Sequence, residues 1–236
     1  MERGTSDEWI QEVLELHAKK EFQDEYKLLS QGLQAHENEP RMLWMLARSC
    51  FDLSCEAAAQ NDKEAAENYV REGLQHAQAS VATGADLAPA YKWNAVMLSK
   101  LGDFEGLTEK IKNSFVIKEL ALRAAELDPN DATTQHVLGA WCYNVAKVTW
   151  YERKAASMLF ASPPTSTYEE AELYLLRSDD IDGTQFENSM LLGDLYVKTG
   201  RPHDARTWYQ RVLDQPCSSL KEKALHETAT KKMGAL

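Results

Sequence analysis

Leu192-Gly193-Asp194-Leu195-Tyr196, followed by Gly200, Ala205, Tyr209 and Pro216, is the stretch on which the fold turns. Small and apolar positions recur at helical spacing on both sides of Gly200, so residues 186–216 read as two helices joined by a turn. Gly193 lets two helices cross closely because no side chain separates their backbones, and Ala205 serves the same purpose on the second helix. Tyr196 and Tyr209 fill the gaps between hairpins, and Gly200 supplies the turn.

The order L-G-x-x-Y, then A-x-x-x-F, then a closing Pro is the tetratricopeptide pattern. Ser189 stands where the first aromatic belongs, and Pro216 comes one residue early. Three weaker copies share the landmark: Leu46-Ala47 before Cys50, Ala95 before Leu98 with Gly102-Asp103 at the turn, and Leu138-Gly139 before Cys142. The landmarks lie 48, 44 and 54 residues apart (47 to 95, 95 to 139, 139 to 193). A plain array would repeat every 34 or so. The hairpins are therefore enlarged, by about 14, 10 and 20 residues.

The extra residues fall at definite places. Leu53 to Glu64 reads as a lengthened helix and turn. Phe104 to Leu127 reads as one helix about 36 Å long that stops at Asp128-Pro129-Asn130. Thr149 to Phe160 reads as an added helix before the Pro163-Pro164 break, and Thr167 with Glu170 forms a capping box that places Ala171 and Leu175 in repeat positions. At the N-terminus Thr5 and Glu8 have capping-box spacing. Trp9, Val13 and Leu16 follow at helical intervals, as do Tyr26, Leu29 and Leu33, before Glu37-Asn38-Glu39-Pro40 ends the hairpin. The tail 218–233 reads as an amphipathic capping helix with Leu220, Ala224 and Leu225 inward. No stretch alternates as a strand does. The expected fold is all-α, a tetratricopeptide-like antiparallel helix-hairpin solenoid of ten or eleven helices. An N-terminal hairpin (1–40) packs on a repeat array (41–236) as one continuous unit.

The formal net charge of −11 is uneven: residues 1–89 hold 8 basic and 17 acidic side chains, whereas 90–160 hold 9 and 8. An acidic surface does not suit general nucleic-acid binding, which needs cations facing phosphates. Cys50, Cys55, Cys142 and Cys217 form no CxxC pair and read as reduced thiols. No apolar run approaches a membrane span, and Met1-Glu2-Arg3-Gly4-Thr5 has no signal-peptide stretch, so the expected location is the cytoplasm.

Catalytic signatures are missing: no Walker loop, no GxGxxG, no HExxH, no GxSxG. The six histidines stand apart, and His136 reads as a hydrogen-bonded core residue. The Lys and Asn clamp by which tetratricopeptide arrays hold acidic C-terminal peptides is also missing, its inner positions carrying Asp194, Met190 and Trp44. The expectation is a binding scaffold without cofactor, not an enzyme. Two features remain as candidate contacts. Lys110, Lys112, Lys118, Arg123, Lys147, Arg153 and Lys154 concentrate cations in the middle of the chain; they form either a solvated face or a patch for an anionic partner. Trp150-Tyr151-Glu152-Arg153-Lys154 runs into Ala155-Ala156-Ser157-Met158-Leu159-Phe160, which reads as core packing of an inserted helix or as a surface for a membrane or partner helix.

Longer words recur in order: Lys92-Trp93, Leu98-Ser99, Gly102-Asp103-Phe104-Glu105-Gly106, Ile117-Lys118-Glu119, Asp128-Pro129-Asn130-Asp131-Ala132-Thr133, Trp141-Cys142-Tyr143, Trp150-Tyr151-Glu152-Arg153-Lys154, and Met158 through Glu169. Together they resemble the regulator of microtubule dynamics family, from about Leu43 to the C-terminus and most specifically over 90–170. The chain lacks the N-terminal membrane or mitochondrial segment of some relatives and resembles the soluble short form. The resemblance implies association with tubulin, microtubules and spindle poles, and a part in chromosome segregation. It also implies phospholipid as a second class of partner, since a related domain binds and moves it. The family has no agreed active-site residues, so none is carried over. Docking of a peptide on the concave face is the third expectation.

Overall fold

The structure, a computed structural model, describes residues 5–149, 154 and 163–236. Eleven helices and no strand occur among them: α1 (Ser6–Ala18), α2 (Phe22–Ala35), α3 (Pro40–Ala59), α4 (Lys63–Ala82), α5 (Ala88–Leu101), α6 (Leu107–Leu127), α7 (Ala132–Lys147), α8 (Tyr168–Ile181), α9 (Phe186–Lys198), α10 (Pro202–Asp214) and α11 (Leu220–Gly234). The helices gather into two compact units, Met1–Glu105 and Gly106–Leu236. The division falls inside the stretch expected to be continuous, and α1 and α2 lie with α3 in the first unit.

Local chemistry sets the helix boundaries. Pro40, Pro89 and Pro202 sit in first turns, where the missing N–H costs nothing. Asp62 and Asp131 cap α4 and α7 by accepting from Ala65 N and Thr134 N. Thr167 and Glu170 close a capping box on α8, as their spacing predicts, and Ser219 with Glu222 closes a second on α11. The box expected at Thr5 and Glu8 does not form: Thr5 is the N-cap of α1, but its side chain makes no capping bond.

The repeat spacing is explained by helix length. From the start of α9 to the start of α11 the chain advances one plain unit, and α9 and α10 are 13 residues each. The α3 and α4 helices are 20 residues each, and the seven extra in each account for the first excess. The second excess lies mainly in α6, with 21 residues. The third falls between α7 and α8, where the added helix expected over 149–160 lies outside the described residues apart from Thr149 and Lys154.

In the first unit Ile10, Val13, Leu28, Leu29, Met42, Met45 and Leu46 form a core flanked by Trp9, Tyr26 and Trp44. The α3–α4 hairpin closes where Gly73 approaches Cys50 and Met97: a Cβ there would lie 2.8 Å from Cys50 Cβ. In the second unit Leu138, Leu175, Leu192, Leu195, Tyr209 and Val212 are buried. A Cβ on Gly139 would lie 2.6 Å from Leu175 Cγ, and one on Gly193 would overlap the Tyr209 ring. Those glycines therefore set the closeness of the α7–α8 and α9–α10 hairpins. Gly200 has φ +74, the left-handed turn that favours glycine.

Candidate functional site

The described middle cations lie along α6 and at the end of α7, with Lys154 beyond. Lys112 and Arg123 lie on α6 eleven residues apart, about three turns, and so share a face. Each meets a carboxylate one turn away on its own helix: Lys112 Nζ is 2.7 Å from Glu109, and Arg123 Nη1 3.1 Å from Glu126. Lys118 stands about 120° round the helix from Lys112. Its ammonium sits 4.5 Å from the centre of the Trp141 ring, an attraction between cation and π-face. Lys110 is exposed near the start of α6. Lys147, on the last turn of α7, lies 6.0 Å from the Tyr143 ring. Lys154 is exposed, and Arg153 lies outside the described residues.

What fixes α6 is its contact with α7. Trp141 Nε1 donates to the Ser114 carbonyl at 2.7 Å, and only Ile117, Ala121 and Ala124 of α6 are buried. Leu107, Val116 and Leu122 are 46%, 45% and 39% exposed, so the long helix offers cations and apolar side chains together.

A second polar assembly lies on α7, α9 and α11, which pack in sequence. His136 Nδ1 is 3.0 Å from Asn188 Oδ1, and Asn188 Nδ2 donates to the Leu175 carbonyl at 2.9 Å. The second bond orients the Asn188 amide, so His136 must be the donor in the first, and its proton is on Nδ1. Burial lowers the His136 pKa and outweighs the Asn188 bond, which raises it, so the imidazole is neutral at pH 7. Burial also opposes ionisation of Glu187, but Lys221 at 2.5 Å holds that carboxyl below its ordinary range. Two turns along α9, Asp194 accepts from Tyr209 Oη at 2.6 Å and from Lys232 Nζ at 2.5 and 2.6 Å. Burial, with the nearby Asp194 charge, pushes the Tyr143 phenol up to about 12.

His136 is half-buried and hydrogen-bonded to Asn188, in keeping with its place in the repeat. Asp194 is on α9 as the repeat register requires, but it is engaged within the chain. Nothing in the sequence marks the pairing of Lys221 with Glu187 or of Lys232 with Asp194; the tail reads only as an amphipathic helix, and no spacing rule links these residues. Leu220, expected inward, is 42% exposed, because the apolar contact of α11 centres on Ala229 instead. Among the described residues no group of three or more His, Cys, Asp or Glu is placed to hold a metal ion, and no helix is long and apolar enough to cross a membrane. Cys50 and Cys142 are buried, and burial raises both thiols, Cys50 far above its usual value.

These features define a tetratricopeptide-like helical-repeat protein. A thermophilic TPR protein of Thermus thermophilus has the same fold, with a TM-score of 0.67 at 16% identity, covering 96% of this chain and all of that one. The model of the family described as regulator of microtubule dynamics protein 1-3 matches residues 9–236, and the chain belongs to that family. Regulator of microtubule dynamics protein 1 of Pongo abelii is 36% identical over 225 residues, 93% of this chain and 70% of that protein. Regulator of microtubule dynamics protein 3 of Xenopus laevis is 31% identical over 210 residues, 88% of this chain and 45% of that protein.

Proposed function

We propose that this protein is a non-enzymatic scaffold that docks on microtubules at the spindle and takes part in chromosome segregation. The observation that carries the reading is family membership over nearly the whole chain. The helical-repeat fold supports it, since stacked hairpins present extended surfaces for partners. Tubulin is itself acidic at its tails, so a chain of net charge −11 must meet it through a local patch or another protein. Lys110, Lys118, Lys147 and Lys154 are the contact set we assign. Lys112 and Arg123 contribute less, because Glu109 and Glu126 already neutralise them at short range.

Co-sedimentation of the purified protein with microtubules tests this. Pelleting is expected at low salt and should fall steeply as ionic strength passes about 0.15 M, where exposed charges are screened beyond roughly 8 Å. Charge reversal of Lys118 and Lys147 together should lower the bound fraction at low salt. No pelleting at low salt, with other proteins absent, removes direct docking.

A further inference from the structure

Three helices of the second unit, α7, α9 and α11, run side by side in one direction, and their contacts fix the register. His136 of α7 meets Asn188 of α9 at 3.0 Å; about two turns further along both helices, Tyr143 feels the charge of Asp194. Glu187 of α9 meets Lys221 of α11, and Asp194 meets Lys232, so α11 keeps the same direction. The three C-termini therefore lie at one end of the unit. Each carries a lysine in its last turn: Lys147 on α7, Lys198 on α9 and Lys232 on α11. A helix dipole favours a cation at its own C-terminus, and parallel packing brings the three cations into a row. Each lysine also stands eleven residues after a residue that joins its helix to the next (His136, Glu187, Lys221), about three turns, so the row follows the seams between the helices. α6 runs against α7, tied to it by Trp141 and the Ser114 carbonyl, which puts the exposed Lys110 at this end too. Asp194, Glu172 and Glu170 lie at the same end but are engaged within the chain, by Lys232, by Arg201 and by the Thr167 backbone. Lys147 and Lys198 are exposed.

We infer that Lys147, Lys198 and Lys232 form a seat for an extended acidic polypeptide laid across the ends of α7, α9 and α11. Packed helices lie about 8–10 Å apart. A chain extended at about 3.3 Å per residue covers that distance in about three residues. The recognition element is therefore a carboxylate at about every third position. A run of carboxylates repels itself and stays extended, which suits this spacing. Charge complementarity selects the occupant: the row sets three cations against one carboxylate, Asp194, and Lys232 already holds that one. The seat rests on the microtubule reading for the source of its occupant, the acidic tail of tubulin. It joins Lys198 and Lys232 to Lys147 of the assigned contact set and leaves out Lys118, whose ammonium lies over the Trp141 ring.

Two assays on the full chain separate the seat from the source of its occupant. Fluorescence anisotropy reads the seat alone, with a fluorescein-labelled peptide of about 13 residues carrying Glu at every third position and Gly or Ser between. Binding is expected at low salt, weakened roughly tenfold or more in K147E/K198E and lost at about 0.5 M NaCl. K147R/K198R, which keeps both charges, should bind as the wild type does. No binding by the wild type at low salt, or equal binding by the wild type and K147E/K198E, overturns the seat. If K147E/K198E fails to fold, K147Q/K198Q replaces it, with a loss of roughly threefold or more expected and unchanged binding overturning the seat. Co-sedimentation reads the source. The wild type should pellet with intact microtubules and lose most of that pelleting once their acidic tails are removed by limited proteolysis. K147E/K198E should pellet equally poorly with both. Wild-type pelleting that ignores tail removal overturns the tail as occupant while leaving microtubule docking in place. Peptide binding without any wild-type pelleting keeps the seat and removes the microtubule reading.

Discussion

Adding a methyl to Gly193 sets two effects against each other. In a helix interior alanine is favoured over glycine by about 0.5–1 kcal/mol. The new Cβ, however, would overlap the Tyr209 ring, which is 1% exposed, hydrogen-bonded to Asp194 and unable to swing away. Overpacking of this kind costs about 1–3 kcal/mol and outweighs the gain. G193A should therefore lower the urea midpoint without changing the slope. An unchanged or raised midpoint would mean the α9–α10 crossing is softer than its geometry. His136 makes a prediction about pH. Its folded pKa lies below the unfolded value of roughly 6.5, so the unfolded chain takes up the proton first as pH falls. The stability that depends on a neutral His136 is complete above the unfolded pKa and declines as pH drops toward the folded one. The decline is at most about 1.4 kcal/mol per pH unit. H136Q should flatten the loss of stability between about pH 7 and pH 5, measured by urea unfolding. An identical pH dependence in the two proteins would assign the loss to other groups.

At the scale of elements, the first three helices are tied by a carboxylate that no pattern in the sequence marks. Glu25 of α2 is completely buried; its two oxygens meet His17 of α1 at 2.9 Å and Arg48 of α3 at 2.8 Å. Arg48 in turn lies 5.5 Å from the Trp44 ring centre. Removing one partner of a buried pair strands the other, at a cost of about 3–5 kcal/mol. The pair between Arg41 and Asp7 also links α3 to α1, but Asp7 is 76% exposed, and such pairs contribute about 1 kcal/mol or less. E25Q should therefore destabilise by several times more than D7N in matched denaturant titrations; similar effects would show that Glu25 is effectively solvated. Most helices were legible because their boundaries are written in local chemistry: prolines in first turns, Asp62 and Asp131 as caps, Thr167 with Glu170 as a box. Thr5 and Glu8 have the spacing of a capping box without forming one, for a related reason. Spacing permits a cap, but whether the side chain turns inward to make it depends on its surroundings.

For the whole molecule, the enlarged spacing of the repeat has a simple origin in longer helices, seven residues more in each of α3 and α4 and a 21-residue α6. Length added to a helix without matching partners leaves surface uncovered, which is why α6 buries three residues and exposes Leu107, Val116 and Leu122. The uneven charge has consequences at the same scale. A partner with acidic surfaces is repelled by the first unit, which carries most of the acidity, and must be met through the second. The cations of that second unit could be counted in the sequence, but not sorted. Their distribution over two faces of α6, and the engagement of Lys112 and Arg123 by carboxylates, follow from helical geometry once the helix is placed. By itself the sequence determined the all-helical repeat, its register and its capped boundaries, because these depend on residues a few positions apart. Only the tertiary structure decided which charges meet: Lys221 with Glu187, Lys232 with Asp194, Glu25 with Arg48. Those pairs join residues distant in the chain, and such pairing is set by how helices pack, not by any local rule.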